Sequence, residues 1–277
     1  MIAESPAAPG VVAAPDAGTP ARGIVLDPRR LRPVVLPGTA AAAMLLIWQL
    51  AAALLRIPAI VLPTPVEIAS ELWRVLPVLL WHTVPTTRDT LLAFSAATVF
   101  GVGLAVAITY SPLLRDTLYP NLVLFQLVPK VALAPMFVIW LGISSLSHLA
   151  FAGFLSFFPV VISTAIGLAG TDAAALRLCR SLTASEWQCF VLVRFPFALP
   201  AIFRGMKIAM TMAIVGVIIA EFISSKAGLG FYILNAGSRL ETANVFAALF
   251  VLCVIGIGLY GVVALAERCV RLIYGRR

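Results

Sequence analysis

In a chain this apolar, the residues able to do chemistry are few enough to weigh singly. Lys130 sits in "LVPKVALAP", inside an apolar run and bracketed by Pro129 and Pro135, so an ammonium group and freed backbone carbonyls occur together. A lysine facing lipid at mid-bilayer is expensive; Lys130 is therefore expected to face the bundle interior, either satisfying carbonyls at a kink or lining a solute pathway. Glu221 ends a later apolar run beside Ser224, Ser225 and Lys226. It reads as an interfacial carboxylate, with a gate or a docking contact as the alternative. Gly228 and Gly230 bracket Leu229 in an expected tight turn. Phe151, Phe154, Phe157 and Phe158 could stack on a planar solute, but helix packing or lipid contact is the simpler reading. Cys179, Cys189, Cys253 and Cys269 show neither CxxC nor metal-ligand spacing, and His82 and His148 are far apart, so neither a disulfide framework nor a metal site is expected. No triad-like grouping of Ser, His and Asp is visible, and no GxxxxGK[ST] phosphate loop occurs, which leaves no catalytic residues to name.

The remaining chemistry is in one mixed stretch, "TDAAALRLCRSLTASEWQCFVLVRFPFALP", from Thr171 to Pro200. Its first half carries helix formers, with Leu178, Leu182 and Cys189 on one side of a helical wheel. Thr183 and Glu186 have capping-box spacing, which predicts two short helices meeting at Thr183. An interfacial helix resting on headgroups is one reading. Its polar face is mixed in sign, however, and Trp187 lies within a turn of both Glu186 and Cys189, which suits a protein partner better than anionic lipid. Pro196 and Pro200 remove backbone donors and are expected to set the angle at which the next span departs.

These groups must be positioned by spans. The chain has 277 residues, 61% hydrophobic and 12% charged, with a mean hydropathy of +1.04. Its apolar runs reach the ~20 residues that cross a bilayer as helix. This predicts an all-α polytopic membrane protein with six transmembrane helices near Val35–Leu55, Leu91–Tyr110, Leu118–Leu141, Leu146–Leu168, Ala198–Phe222 and Val245–Ala266. Residues 1–33, rich in Ala, Pro and Gly, read as a disordered cytoplasmic tail with no signal-peptide h-region; 34–277 form the permeating domain. Between the first two spans, Pro63, Pro65, Pro77 and Pro85 interrupt an amphipathic stretch carrying Glu67, Glu71 and Arg74, which predicts an interfacial or extramembrane helix.

The formal charge of +8 sets topology rather than indicating nucleic acid. Arg22, Arg29, Arg30, Arg32, Arg115, Arg177, Arg180, Arg194, Arg268, Arg271, Arg276 and Arg277 fall on one side of this plan. Arg56, Arg74, Arg88, Lys226 and Arg239 fall on the other. Both termini are accordingly expected in the cytoplasm, with Arg204 and Lys207 snorkelling to that side and the mixed stretch, about 170–197, as its longest loop.

"RSLTASEWQCFVLVRFPFALPAIFRGMKIAM" resembles the coupling loop, or EAA loop, of permease subunits of ATP-binding-cassette importers. That loop follows roughly E-A-A-x-x-x-G and, further on, a hydrophobic residue, x and L-P. "VRFP" keeps the second part with Phe195 in place of Leu. Arg177 stands where the pattern has Glu, Leu178 and Cys179 where it has Ala-Ala, and Thr183 where it has the turn glycine. The likeness extends over about Leu62 to Ala266, through "VLPTPVEIASEL", "LVPKVALAPMFVIWLGISSLSHLAF", "VGVIIAEFISSKAGLGFYILNAG" and "NVFAALFVLCVIGIGLYGVVALAER". These are similar to permeases of the nitrate/sulfonate/taurine type, and "VPKVALAP" and "IIAEF" with "GLG" most resemble members for thiamine precursors and riboflavin.

The resemblance implies the type I importer fold in a bacterial inner membrane and a homodimer with two cytoplasmic ATPase subunits. It also implies an extracytoplasmic substrate-binding protein that delivers a small organic or anionic solute. Arg177, Arg180, Ser181, Leu182, Thr183, Ala184, Ser185, Glu186 and Trp187 would form the ATPase-coupling loop; Pro129, Lys130, Pro135 and Glu221 would form pathway or gate. ATP and Mg would be bound by the partner, not by this chain. The alternative is an ion-coupled secondary transporter using Lys130 and Glu221. Against it stand the absence of further intramembrane carboxylates and of an inverted repeat of broken helices.

Overall fold

The computed structural model describes residues 28–274, with side chains from Leu36 onward. The contacts divide the chain into a unit ending at Ile47 and a unit beginning at Trp48. The first unit holds most of α1 (Pro28–Leu54), which starts inside the stretch expected to be tail; residues 1–27 of that tail lie outside the described residues.

The second unit contains α2 (Pro65–Tyr110), α3 (Pro112–Leu124), a 3-10 turn (Lys130–Leu133), α4 (Ala134–Leu141) and α5 (Ser145–Ala169). α6 (Ala173–Ser181), α7 (Glu186–Cys189), a π turn (Phe190–Arg194), α8 (Phe195–Ser224), α9 (Leu229–Ser238) and α10 (Thr242–Tyr274) complete it. Among the described residues five segments are long and apolar enough to cross a membrane: α1, α2, α5, α8 with its lead-in from Glu186, and α10. The span expected over Leu118–Leu141 is divided into α3 and the shorter apolar segment Lys130–Leu141. The break falls at Pro129, which cannot donate a backbone hydrogen bond and restricts Val128 before it.

α2 departs from expectation too. Pro77 and Pro85 lie inside it without ending it, so the amphipathic stretch and the second span are one helix of 46 residues. At 1.5 Å per residue that is about 69 Å, more than twice the hydrocarbon thickness, so the start of α2 stands outside the bilayer. A capping box fixes that start: the Glu67 backbone N–H donates to Thr64 Oγ1 (3.2 Å), and the Thr64 N–H to Glu67 Oε2 (2.8 Å). Past Pro77 and on either side of Pro85, Thr83 and Thr90 donate to the carbonyls of Leu79 and Thr86 at 2.9 and 2.7 Å.

The core is the crossing of α5 on α8, and small residues make it possible. A Cβ at Gly216 would lie 2.7 Å from Ala152 Cα, one at Gly205 2.6 Å from Ser163 Cβ, and one at Gly167 2.7 Å from Ala201 Cβ. Between helices in lipid, where apolar burial gives no net drive, this close approach supplies the attraction. α2 covers α5 in the same way, with Gly101 against Val160. Phe94, Phe203, Met210, Leu259 and Val263 fill the space among α2, α8 and α10.

Candidate functional site

At one end of α8 lies the turn expected to couple. Asp172 caps α6, its Oδ1 accepting from the Ala174 N–H at 2.9 Å. At the far end of α6 the Thr183 N–H donates to Arg180 O (3.1 Å) and the Ala184 N–H to Cys179 O (3.2 Å), the two bonds of a Schellman motif. Thr183 is its left-handed residue, φ +55. The departure from the turn glycine therefore leaves the turn intact, although a β-branched residue is strained there. Thr183 is not a helix cap: its hydroxyl donates to Leu182 O (2.7 Å). The capping box belongs to Ser185 and Gln188, with the Gln188 N–H donating to Ser185 Oγ (3.2 Å) and the Ser185 N–H to Gln188 Oε1 (2.7 Å).

The tip so formed is apolar and open. Leu178, Leu182 and Trp187 are 61%, 70% and 71% exposed, and Trp187 stacks on Phe190 at 5.7 Å. Arg177, Ser181, Thr183, Ser185 and Glu186 surround them in solvent, Ala184 is half-buried, and Arg180 pairs with Glu186 at 3.3 Å across the turn. Pro196 follows in the first turn of α8, just after the π turn in which the Phe195 N–H reaches Phe190 O; Pro200 lies inside α8. Glu186 to Ser224 is thus one continuous helical segment.

Midway along α5 and α8 is a cleft of about 300 Å³ lined by Gln126, Lys130, Leu155, Phe158, Pro159, Ile162, Ser163, Ile208 and Met212. Lys130 reaches it from the break between α3 and α4. Its Nζ donates to Gln126 O (3.2 Å) and lies 5.2 Å from the centre of the Phe158 ring. Both readings of Lys130 meet here: it satisfies a carbonyl at a helix break, and it faces a cavity. Pro129 and Pro135 bracket the 3-10 turn that presents it. Phe151 is buried against Phe137, and Phe154 and Phe157 pack edge-on to Phe158, so the aromatic group is largely helix packing.

The other end of α8 holds what sequence reasoning missed. Glu221, in the last turn of α8, is buried among helices rather than open to solvent: it is 2% exposed. Its Oε1 accepts from Thr86 Oγ1 (2.8 Å) and its Oε2 from the Gly230 N–H (2.7 Å). Thr86 Oγ1 in turn accepts from the Leu229 N–H (2.8 Å), and His82 Nδ1 from the Gly228 N–H (3.1 Å). The N–H groups of Gly228, Leu229 and Gly230, at the start of α9, are all held by side chains of α2 and α8. Gly228 has φ +111, and a Cβ at either glycine would collide with Glu221, so the pair is needed for packing as well as for the turn.

Beside this cap, Asp89 Oδ1 takes Arg88 at 3.1 Å, and His148 lies with Nδ1 3.6 Å from Asp89 Oδ2 and Nε2 3.1 Å from Ser224 Oγ. An Asp–His–Ser row is therefore present, contrary to the sequence reading. The Ser224 hydroxyl is within 3.4 Å of Ala220 O on its own helix, and the row works as a tie among α2, α5 and α8. It borders a cleft of about 420 Å³ lined also by Glu221, Ser225 and Lys226. Further buried carboxylates exist, too: besides Asp89, Glu267 of α10 pairs with Lys207 of α8 (2.5 Å) and with Arg271, so Lys207 is neutralised rather than snorkelling. Among the described residues no group of three His, Cys, Asp or Glu could hold a metal ion.

Fold and site define a helical membrane protein with an apolar-tipped turn at one end of a long span, a cleft at mid-depth and a polar lock at the other end. Residues 97–272 match the family described as binding-protein-dependent transport system inner membrane component, and the chain belongs to that family. It is a multi-pass inner membrane protein with the type I importer permease fold, the translocation component of an ABC importer. A probable ABC transporter permease protein of Haemophilus influenzae is 32% identical over 84% of this chain and 93% of its own length. The riboflavin transport system permease protein RibX of Chloroflexus aurantiacus is 31% identical over 81% of this chain and 85% of its own. The taurine transport system permease protein TauC of Escherichia coli is 32% identical, covering 81% and 84%.

Proposed function

We propose that two copies of this chain form the translocation path of an importer, with both termini and the α6–α7 turn in the cytoplasm. Two ATPase subunits grip the two turns and hold ATP and Mg; a substrate-binding protein delivers the solute at the α9 end. The observation that carries this is the exposed row Leu178, Leu182 and Trp187, an apolar surface held on a capped turn between two spans. Such side chains are stable in water only until a protein groove offers burial. The cargo is a small organic or anionic solute; relatives named for riboflavin and taurine transport support a compound of that size. It passes the Lys130 cleft, with Pro129 and Pro135 bracketing the turn that presents Lys130 and Glu221 at the outer end.

The buried pair Asp89 and Glu221 gives the second reading, an ion-coupled transporter, some footing. One experiment separates the two. Detergent-extracted protein, expressed with an ATPase subunit encoded beside it, should bring that subunit down, and uptake should stop when ATP is depleted with the ion gradient intact. Uptake that persists under those conditions, without a co-purifying ATPase, would favour the ion-coupled reading.

A further inference from the structure

A helix begins with N–H groups that have no partner in their own ladder, and a local Ser, Thr or Asp usually takes one of them. α9 is capped differently. Ser225 Oγ closes its own turn by accepting from the Ala227 N–H (3.1 Å), and the next three N–H groups go to His82 and Thr86 of α2 and to Glu221 of α8. Leu229, fully buried, packs into the cluster of Leu79, Ile218, Ile233 and Val251, so α9 is docked by apolar contact as well.

The choice of a carboxylate matters. Glu221 is buried among helices, and its two oxygens take only Thr86 Oγ1 and the Gly230 N–H. Were α9 to part from α8, the Gly230 N–H and one oxygen of Glu221 would both lose their partner in a buried site, a penalty that holds the two helices together. Glu221 also stands in the last turn of the 39-residue helical segment that begins at Glu186 in the exposed turn, about 52 Å away at 1.5 Å per residue.

We propose that Glu221 hooks α9 onto α8, with Thr86 and His82 bringing α2 into the same body, so that movement of the α6–α7 turn reaches α9 undiminished. On this view His82, Thr86 and Glu221 are positioning residues for transport, and α9 is the part of the outer end that ATP-driven movement displaces. The inference rests on the importer reading above.

The test uses the complete importer, co-purified with its ATPase and reconstituted with its binding protein. Glu221→Leu should lower the ratio of binding-protein-stimulated to basal ATPase at least about fivefold, a coupling change within the usual allosteric range. Glu221→Gln, whose amide oxygen still accepts from the Gly230 N–H, should keep more than half of that ratio. Thr86→Val, isosteric and thus less exposed to misfolding, should lower it about twofold.

A second readout follows movement directly. With Cys179, Cys189, Cys253 and Cys269 replaced by Ser, spin labels on Ser238→Cys at the exposed end of α9 report the distance between two copies. ATP should shift that distance in the otherwise native chain and in Glu221→Gln, and not in Glu221→Leu. Retention of both the ratio and the shift in Glu221→Leu overturns the hook; so does a Glu221→Gln that fails as Glu221→Leu does. If native importer shows no ATP-driven uptake at all, the importer reading falls instead.

Discussion

Replacing Leu182 by Asp is the sharpest probe of the α6–α7 turn. Leu182 is the C-cap of α6, 70% exposed, and its side chain supports no packing that the isolated chain needs. Insertion and thermal stability of the permease should therefore change little. In the assembled importer the same side chain is expected at the centre of a buried contact beside Trp187. Full burial of a Leu contributes roughly 1.5–3 kcal/mol, and a central interface position about 2–4 kcal/mol when an unpaired carboxylate must also be dehydrated. At about 1.4 kcal/mol per factor of ten this predicts roughly 30- to 700-fold weaker binding of each ATPase subunit. The assay is association of purified ATPase with permease in nanodiscs, titrated at fixed salt. Trp73→Asp serves as control, because Trp73 is equally exposed but lies on α2, far along the chain from the turn. Native ATPase binding in Leu182→Asp, or an equal loss in Trp73→Asp, would refute the assignment of the turn as a docking element.

Thr183→Gly should relieve the left-handed strain and be neutral to stabilising by up to about 1 kcal/mol, the gain being offset in part by a more flexible unfolded chain; slower amide exchange at Thr183 and Ala184 would record it. Gly216→Val should force α5 from α8, since even a Cβ would meet Ala152 Cα at 2.7 Å, and overpacking of about 1–3 kcal/mol should appear as a lower unfolding temperature in detergent. Lys130→Met should change solute-stimulated ATPase or uptake at least severalfold while leaving the unfolding temperature near that of the native chain, because Nζ holds one carbonyl and one ring face. An unfolding temperature that falls in step with transport would make Lys130 a structural lysine.

The spans were legible because length and apolarity alone suffice for them, and α5, α8 and α10 fall where the apolar runs lie. What misled was proline. In water Pro77 and Pro85 argue for interruption, but α2 runs through both. Pro129 does break its span, and no hydropathy pattern distinguishes the cases, because the run from Leu118 to Leu141 is apolar on both sides. The cap of α9 was out of reach for a different reason: two of its N–H groups go to partners 143 and 146 residues away in sequence, and Glu221, which takes the third, is tied to Thr86 across 135. The visible signal was the conjunction of Glu221 with Gly228 and Gly230, read as separate features.

That conjunction changes how the coupling turn itself should be understood. Thr183 holds a left-handed turn that glycine would hold without strain, and the helix after it runs from Glu186 to Ser224 with a π turn rather than a break. A helix transmits displacement only if its far end is fastened to something. In the proposal above Glu221 is that fastening, buried and bonded to α2 and α9 at once. The small-residue seam of α5 against α8 supplies the complementary property, since contacts through Gly167, Gly205 and Gly216 present few protruding side chains to oppose sliding. Stiffness along α8 and low relief across it are what a helix needs to carry movement from one face of the membrane to the other.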